Sequence, residues 1–284
     1  MFRHKLAHYR MAAVAVVAVA TLAVSFATTR AQTTKAGAEF RLKAYDTHLA
    51  MTQASPYKNQ SWSFLGPTNV SGRIADVAVA DYPNSRRLYA GSCCGGLWAS
   101  DDLGETWRPV FEHEASSAIG DVTVAPSNPD IVWVGTGETN IFRSSYAGAG
   151  VYKSVDGAKT WTHMGLADTQ TIGRIVIHPS DPNTVYVAAS GHEWTDNEMR
   201  GVFKTTDGGK TWNKVLYVNT QTGAVDLVMD PTDPNTLYAA MWQRERRKWT
   251  STPEQIPNAC FTPGINLHLY ETRIVEQSFK HQPA

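Results

Sequence analysis

GRIVIHPSDPNTVYVAASGHEWTDNEMRGVFKTTDGGKTWNKVL, running from residue 173 to residue 216, decides the fold. It breaks into four short runs, RIVIH, TVYVAAS, GVFKTT and TWNKVL, each rich in β-branched or aromatic residues and each bounded by Pro, Gly, Asn or Asp. Runs of that length and composition read as strands, and the punctuation between them reads as turns. The opening strand-turn-strand recurs as DVTVAPSNPDIVWVGTG from Asp121, as DLVMDPTDPNTLYAAMW from Asp226, and more loosely as DVAVADYPNSRRLYAGS from Asp76. Four consecutive copies of a four-stranded antiparallel unit predict an all-β fold, a β-propeller of stacked blades.

The turn between the third and fourth strands has its own signature. TDGGKTW ends at Trp212, SVDGAKTW at Trp161 and SDDLGETW at Trp107, with 51 and 54 residues between successive tryptophans. One catalytic carboxylate does not need three copies, whereas a repeated turn does. The aspartates Asp102, Asp156 and Asp207 are therefore expected to accept hydrogen bonds from their own turns, with a Gly tolerating positive φ. Trp107, Trp161 and Trp212 are expected to pack between blades. The second copy, SVDGAKTW, places Gly157 directly after Asp156 rather than one residue later, which predicts a shifted turn in that blade.

Spaced in this way, the S/T-x-D-x-G-x-T-W repeats resemble those of Asp-box, or bacterial neuraminidase repeat, propellers. The segments WSFLGPTNVSGRIADV, GGLWASDDLGETW and GVFKTTDGGKTWNKVLYVN are similar to secreted bacterial proteins of the sortilin N-terminal-like propeller family, many of them labelled glycosyl hydrolases. The resemblance runs from about residue 61 to 249. It implies a fold more than a chemistry, because such repeats occur in sialidases, xyloglucan hydrolases, sorting receptors and assembly factors. The Arg-Ile-Pro motif of sialidases is absent, Gly72-Arg73-Ile74-Ala75 being the nearest approach, which argues against that activity.

Composition fits a globular chain: 284 residues, 42% hydrophobic, 18% charged and a formal net charge of zero. No dense basic block marks a nucleic-acid partner, and RERRK at residues 244–248 reads as a solvated loop. Residues 1–31 pair a basic start with the apolar run MAAVAVVAVATLAVSFA and small residues at Ala27 and Ala31, the pattern of a secretory signal peptide. This predicts a secreted or periplasmic protein with no integral membrane domain beyond that segment; an uncleaved anchor is the other reading of the run. Three cysteines, two of them the adjacent Cys93 and Cys94, make no disulfide framework. No metal site, cofactor motif, HExxH, GxSxG or P-loop is present in the sequence.

Strand alternation separates two ends of the blades. The Asp-boxes and the DPN turns share one end, the scaffold end. The long second connections, GTGETNIFRSSYAGAG, SGHEWTDNEMRG and MWQRERRKW, and the blade-to-blade linkers EHEASSAIG and ADTQTIGR share the other. Loops on a rigid scaffold are where function sits. Arg143, Tyr146, His192, Trp194, Trp242 and Arg244 on those loops are candidate ligand-binding residues, joined by Asp76, Asp121, Arg174 and Asp226 at the mouth of the central channel. In the last four, pairing between neighbouring blades is the alternative role. If the protein is a glycoside hydrolase, Glu138 and Glu193 are the candidate catalytic carboxylates. Two functions stay open: capture of a protein, peptide or glycan ligand without chemistry, and hydrolysis of a polysaccharide on the same face.

The repeat yields an incomplete ring. Trp62 stands before its blade as Trp161 does, so that segment reads as the fourth strand of another blade, and the pattern stops after MWQRERRKWT. The expected organisation is a signal peptide at 1–31, an N-terminal extension at 32–60, about 3.5 to 4 blades at 61–250, and a disordered non-repeat tail at 251–284. An open arc of this kind presents apolar flanks through which copies of the chain are able to self-associate.

Overall fold

The computed structural model describes residues 37–60, 73–140 and 145–243, and the backbone of 267–273. The chain divides into two units, Met1–Gly37 and Ala38–Ala284, and the second holds every element below. It begins with helix α1 (Ala38–Ala54). Four antiparallel sheets follow in chain order. The first is β1 (Ile74–Tyr82), β2 (Ser85–Ser92), β3 (Gly96–Ser100) and β4 (Arg108–Pro109). The second is β5 (Ile119–Ala125), β6 (Asn128–Thr136), β7 (Val151–Ser154) and β8 (Thr162–His163). The third is β9 (Ile172–Ile177), β10 (Val185–Ala189), β11 (Gly201–Thr205) and β12 (Asn213–Leu216). The fourth is β13 (Thr222–Met229), β14 (Thr236–Gln243) and β15 (Leu267–Arg273). Each sheet is an up-and-down blade, and the inner strands β1, β5, β9 and β13 pack one on the next.

The segment at 251–284, expected to carry no blade strand, instead supplies β15, which pairs antiparallel with β14 from Thr236 opposite Arg273 to Trp242 opposite Leu267. LHLYETR has the alternation of a strand, and the open edge of β14 offers it unpaired backbone groups. The N-terminal extension likewise contains a helix that its weak amphipathicity concealed. Only Ala38, Arg41, Leu42 and Tyr45, one stripe of α1, are half-buried, while Phe40 and Met51 stay exposed.

The core consists of the junctions between sheets. At the first, Ala80 and Tyr89 meet Val122, Val132 and Val134, with Trp161 packed against them. The second joins Trp133 to Ile175, Ile177, Val187 and Trp212; the third joins Tyr186 to Leu227, Leu237 and Ala239. Every inner strand carries a bulge at the same place, between Ile74 and Asp76, Ile119 and Asp121, Ile172 and Arg174, and Ala224 and Asp226. The extra residue re-aims the side chain that follows it. Two of these extra residues are Gly120 and Gly173, where a Cβ would stand 2.1 Å from the Ile172 carbonyl oxygen and 2.3 Å from that of Val225. Only glycine lets the inner strands approach so closely.

The three turns that end in Trp107, Trp161 and Trp212 share one geometry. Ser100, Ser154 and Thr205 each donate a hydroxyl hydrogen bond of 2.7 Å to Asp102, Asp156 and Asp207 respectively. The same hydroxyl oxygens accept from the backbone N–H of Gly104, Ala158 and Gly209 at 2.8, 2.9 and 3.0 Å. The shifted turn expected in the second blade is therefore absent: Ala158 itself adopts the left-handed conformation, φ 65°, that Gly104 and Gly209 take. The hydrogen bonds of the turn outweigh the strain, about 1 to 2 kcal/mol for a residue with a Cβ.

Candidate functional site

Backbone contacts locate the two ends of the blades. At the scaffold end the Gly208 N–H donates to the Asn183 carbonyl and the Gly157 N–H to the Asp130 carbonyl, joining box to first connection. At the other end the second connections meet the linkers: Gly137 N–H donates to Ala118 O, Gly148 N–H to Gln170 O and Ser190 N–H to Thr171 O. The two faces differ in the state of their acids. Asp102 is pulled down to about 2 by the Thr106 hydroxyl and N–H and by Ser100. Burial opposes the same pull at Asp156, but the Thr160 and Ser154 hydroxyls prevail and bring it to about 2. Thr211 and Thr205 hold Asp207 down in the same way. These carboxylates are fully ionised acceptors, spent on their own turns.

At the loop end two acids, Glu114 and Asp121, are raised. Burial pushes the Glu114 carboxyl up to about 7 in the linker between the first two sheets. Glu114 and the Arg41 guanidinium both lie close enough to Tyr152 to act on its hydroxyl, which burial holds well above its usual range. Arg41, from α1, donates to the Gly148 carbonyl at 2.6 Å and to the Ala167 carbonyl at 3.3 Å, so the helix is fastened across the loop end of the second sheet. Asp168, next along, stands beside His192, whose Nε2 is 2.8 Å from the Asp168 carbonyl and 3.2 Å from its Oδ1. His192 Nδ1 is 3.2 Å from the Thr195 hydroxyl. Glu114, Tyr152, Arg41, Asp168 and His192 thus form a continuous run from the first linker to the third sheet.

Of the residues named from sequence, His192 joins this run, and its neighbours Glu193 and Trp194 lie on the same connection, Glu193 buried and Trp194 exposed. Tyr146 is exposed on the second connection of the preceding sheet. Glu138 is wholly buried, with one carboxylate oxygen paired to Arg73. Trp242 is half-buried at the end of β14. Arg143 and Arg244 lie outside the described residues, as do the signal-peptide segment, Trp62 and Cys260. Arg200, not singled out from sequence, is fully buried and donates to the Ser190 carbonyl at 2.6 Å and to the His192 carbonyl, fixing the shape of the loop that presents His192 to Trp194.

The bulges aim the four channel residues at one another. Arg174 Nη1 lies 2.9 Å from Asp121 and 3.5 Å from Asp76, and its Nε donates to Asp226 at 2.9 Å. Asp121 also accepts from the Thr123 hydroxyl at 2.8 Å and the Ile175 N–H at 3.0 Å. Burial, reinforced by Asp76, pushes Asp121 well above the carboxylate range while Arg174 opposes it. One guanidinium therefore ties all four sheets together. Among the described residues no group of three or more His, Cys, Asp or Glu side chains is placed to hold a metal ion, and no helix is long and apolar enough to cross a membrane.

Residues 149–262, less than half of the chain, match the family model described as Sortilin-Vps10, "Sortilin, neurotensin receptor 3". A probable oligoxyloglucan-reducing end-specific xyloglucanase of Neosartorya fischeri is 28% identical over 54% of this chain and 19% of its own length. A xyloglucanase of a Paenibacillus species is 24% identical over 61% of this chain and 19% of its own length. Among solved structures, an ancestral GH74 enzyme superposes with a TM-score of 0.53 at 21% identity, covering 74% of this chain and 25% of that one. The GH74 xyloglucanase of Xanthomonas campestris gives a TM-score of 0.50 at 19% identity, covering 70% of this chain and 28% of that one. The chain spans about a fifth of the curated relatives named here. What these likenesses carry over is the fold, an all-β propeller-type arrangement of antiparallel blades.

Proposed function

We propose that the chain is the propeller portion of an exported glycoside hydrolase whose loop end takes a polysaccharide of the xyloglucan kind. The observation that carries this reading is the placement of two exposed aromatic rings, Tyr146 and Trp194, with titratable carboxyls at one end of neighbouring blades. The matching relatives, xyloglucanases, supply the substrate class. Exposed aromatic faces stack on sugar rings, and hydrolysis then needs one protonated carboxyl to load the leaving oxygen and one carboxylate to work from the opposite side. Glu114 has the first property, since with its carboxyl at about 7 half of it carries a proton near neutral pH. Glu193 takes the second role. Glu138, buried against Arg73, positions the loop instead of touching substrate, and Asp76, Asp121 and Arg174 hold the channel mouth in register.

Ligand capture without chemistry, of a protein, peptide or glycan, is the second reading. It is favoured by the burial of Glu193 and by α1 lying across the loop end. Incubation with xyloglucan separates the two. Release of reducing ends that falls by roughly 10²- to 10⁴-fold in Glu114→Gln or Glu193→Gln is expected for hydrolysis. Trp194→Ala is expected to weaken polysaccharide retention while leaving the fold intact. Retention of xyloglucan by the wild type with no release of reducing ends leaves capture alone standing; an absence of both retention and release overturns the hydrolase reading and leaves capture of a different ligand.

A further inference from the structure

We propose that the groove between the second and third sheets at the scaffold end is a second binding site, which takes the carboxylate of an acidic sugar. The turns of these two sheets are built alike, and the charges around them differ. In both, the glycine after the turn aspartate is left-handed, Gly157 at φ 71° and Gly208 at φ 73°. Each glycine leaves open the place of a Cβ, and a cation from the preceding sheet reaches toward it. The Cβ position of Gly157 lies 3.0 Å from Arg87 Nη1, 3.2 Å from the Tyr82 hydroxyl and 3.3 Å from Asp130 Oδ1. That of Gly208 lies 3.0 Å from Lys153 Nζ and 2.9 Å from Asn183 Oδ1.

The first of these sites is already neutralised. Arg87 pairs with Asp101 and donates to the Gly157 carbonyl at 2.8 Å, while the Asp130 carboxylate accepts from the Tyr82 hydroxyl at 3.0 Å. At the second, Asn183 takes the place of Asp130: Gly208 N–H donates to its carbonyl as Gly157 N–H donates to that of Asp130. A neutral amide thus stands where the first junction has a carboxylate. Lys153 donates to the Gly208 carbonyl at 3.3 Å and lies over Trp133, 5.1 Å from the ring centroid. Lys210 lines the same groove, and among the described residues no carboxylate forms an ion pair with either lysine. Asp207, also in the lining, is committed to Thr205 and Thr211. Burial and the charge of Lys210 both lower the proton affinity of Lys153, and a bound carboxylate relieves the second and compensates the first.

The rest of the groove suits a sugar. Its volume is about 260 Å³, just below the roughly 300 to 1,000 Å³ of drug-sized ligand sites, which leaves room for one ring. Val155 and Met164 offer apolar surface to a ring face, and Thr160 and Thr162 offer hydroxyl oxygens to its polar rim. The groove lies at the end of the blades away from Glu114 and His192. It anchors a ligand without chemistry, and its role stands whether or not the loop end hydrolyses anything.

Titration calorimetry of the whole chain at low ionic strength, with trigalacturonate, neutral galactotriose and inorganic sulfate as probes, tests the assignment. Trigalacturonate is expected to bind, more weakly as salt is added, and galactotriose about 10-fold more weakly or not at all. Lys153→Met should lower the affinity by about 10-fold or more, as for a lost charge-assisted hydrogen bond. Because that side chain also packs on Trp133, Asn183→Asp is the second variant. It is isosteric, it gives the groove the carboxylate of the first junction, and it should remove as much binding without lowering the melting temperature. Lys159→Met, on the same turn as Thr160 but outside the groove, should bind as the wild type does. No measurable binding of trigalacturonate, or an affinity unchanged in Asn183→Asp, overturns the inference. Galactotriose or sulfate bound as tightly as trigalacturonate does so too, since the carboxylate or the ring would then add nothing.

Discussion

The Trp161 indole N–H donates to the Val110 carbonyl at 2.7 Å, and so carries the turn of the second sheet across to the outer edge of the first sheet. Trp212 repeats the contact on Met164 at 2.7 Å, and stands edge-to-face with Trp133 at a centroid separation of 6.0 Å. Replacing Trp161 or Trp212 by Ala is expected to cost about 3 to 5 kcal/mol in urea denaturation, the range for a large aromatic removed from a core. Trp107→Ala, at an exposed ring, is expected to cost about 1 kcal/mol or less. Equal losses at all three positions would show that the box tryptophans stabilise their own turns and not the junctions.

The repeated turns made the blades legible because they are local: Ser100 to Thr106, Ser154 to Thr160 and Thr205 to Thr211 close their hydrogen bonds within a few residues. The channel residues were legible as a ring for the same reason, since each follows its inner strand's entry at a constant offset. What joins distant segments was hidden. Arg41 reaches carbonyls more than a hundred residues away, and nothing in AEFRLKAYDTHLAMTQA marks it as a clasp. Nothing in the linker EHEASSAIG singles out Glu114, since its raised carboxyl comes from burial that only the assembled loop end supplies. The seven-residue alternation of β15 carries no blade turn of its own and becomes a blade strand only beside the open edge of β14.

Box position and neighbour together set what the turn tolerates. Ala158 and Gly209 occupy equivalent left-handed positions, but a Cβ on Gly209 would stand 2.6 Å from the Trp133 ring. Gly209→Ala is expected to destabilise by more than the 1 to 2 kcal/mol or so of left-handed strain, because the clash adds to it. Ala158→Gly is expected to change stability by no more than about 1 kcal/mol, relief of strain being offset by the freer unfolded chain. Thermal unfolding of the two variants checks the contrast, and a tolerated Gly209→Ala would contradict the packing of Trp133 against that turn.

Arg174 compensates a carboxylate that has no exposure to solvent. Its loss leaves Asp121 buried beside Asp76, and Arg174→Ala is expected to cost roughly 2 to 3 kcal/mol at pH 8, less than a fully buried pair because the guanidinium is partly solvated. Asp121 has its folded-state proton affinity raised, so its contribution favours folding below the unfolded carboxylate range and is lost as pH rises. The penalty of Arg174→Ala should therefore shrink at pH 5, where Asp121 is able to take up a proton. A loss independent of pH between 5 and 8 would mean that Arg174 acts through packing alone.

Glu114 makes the loop end sensitive to pH in the direction opposite to the turn aspartates Asp102 and Asp156. Its folded carboxyl sits at about 7, above the ordinary 4.5, because burial disfavours the charge. The native state then binds more protons than the unfolded chain between about pH 4.5 and 7, and stability falls as pH rises through that window. The box aspartates are depressed, so their contribution is lost instead as pH falls from about 4 toward 2. Maximum stability is expected between these windows, near pH 4 to 5. Glu114→Gln should raise the melting temperature at pH 8 and leave it unchanged at pH 4, where the wild-type carboxyl is already neutral. If Glu114 is also the acid of a hydrolase, activity of the wild type declines above pH 7 while that of Glu114→Gln is low at every pH. A melting temperature that rises by the same amount at both pH values would place the effect in packing and not in the charge of Glu114.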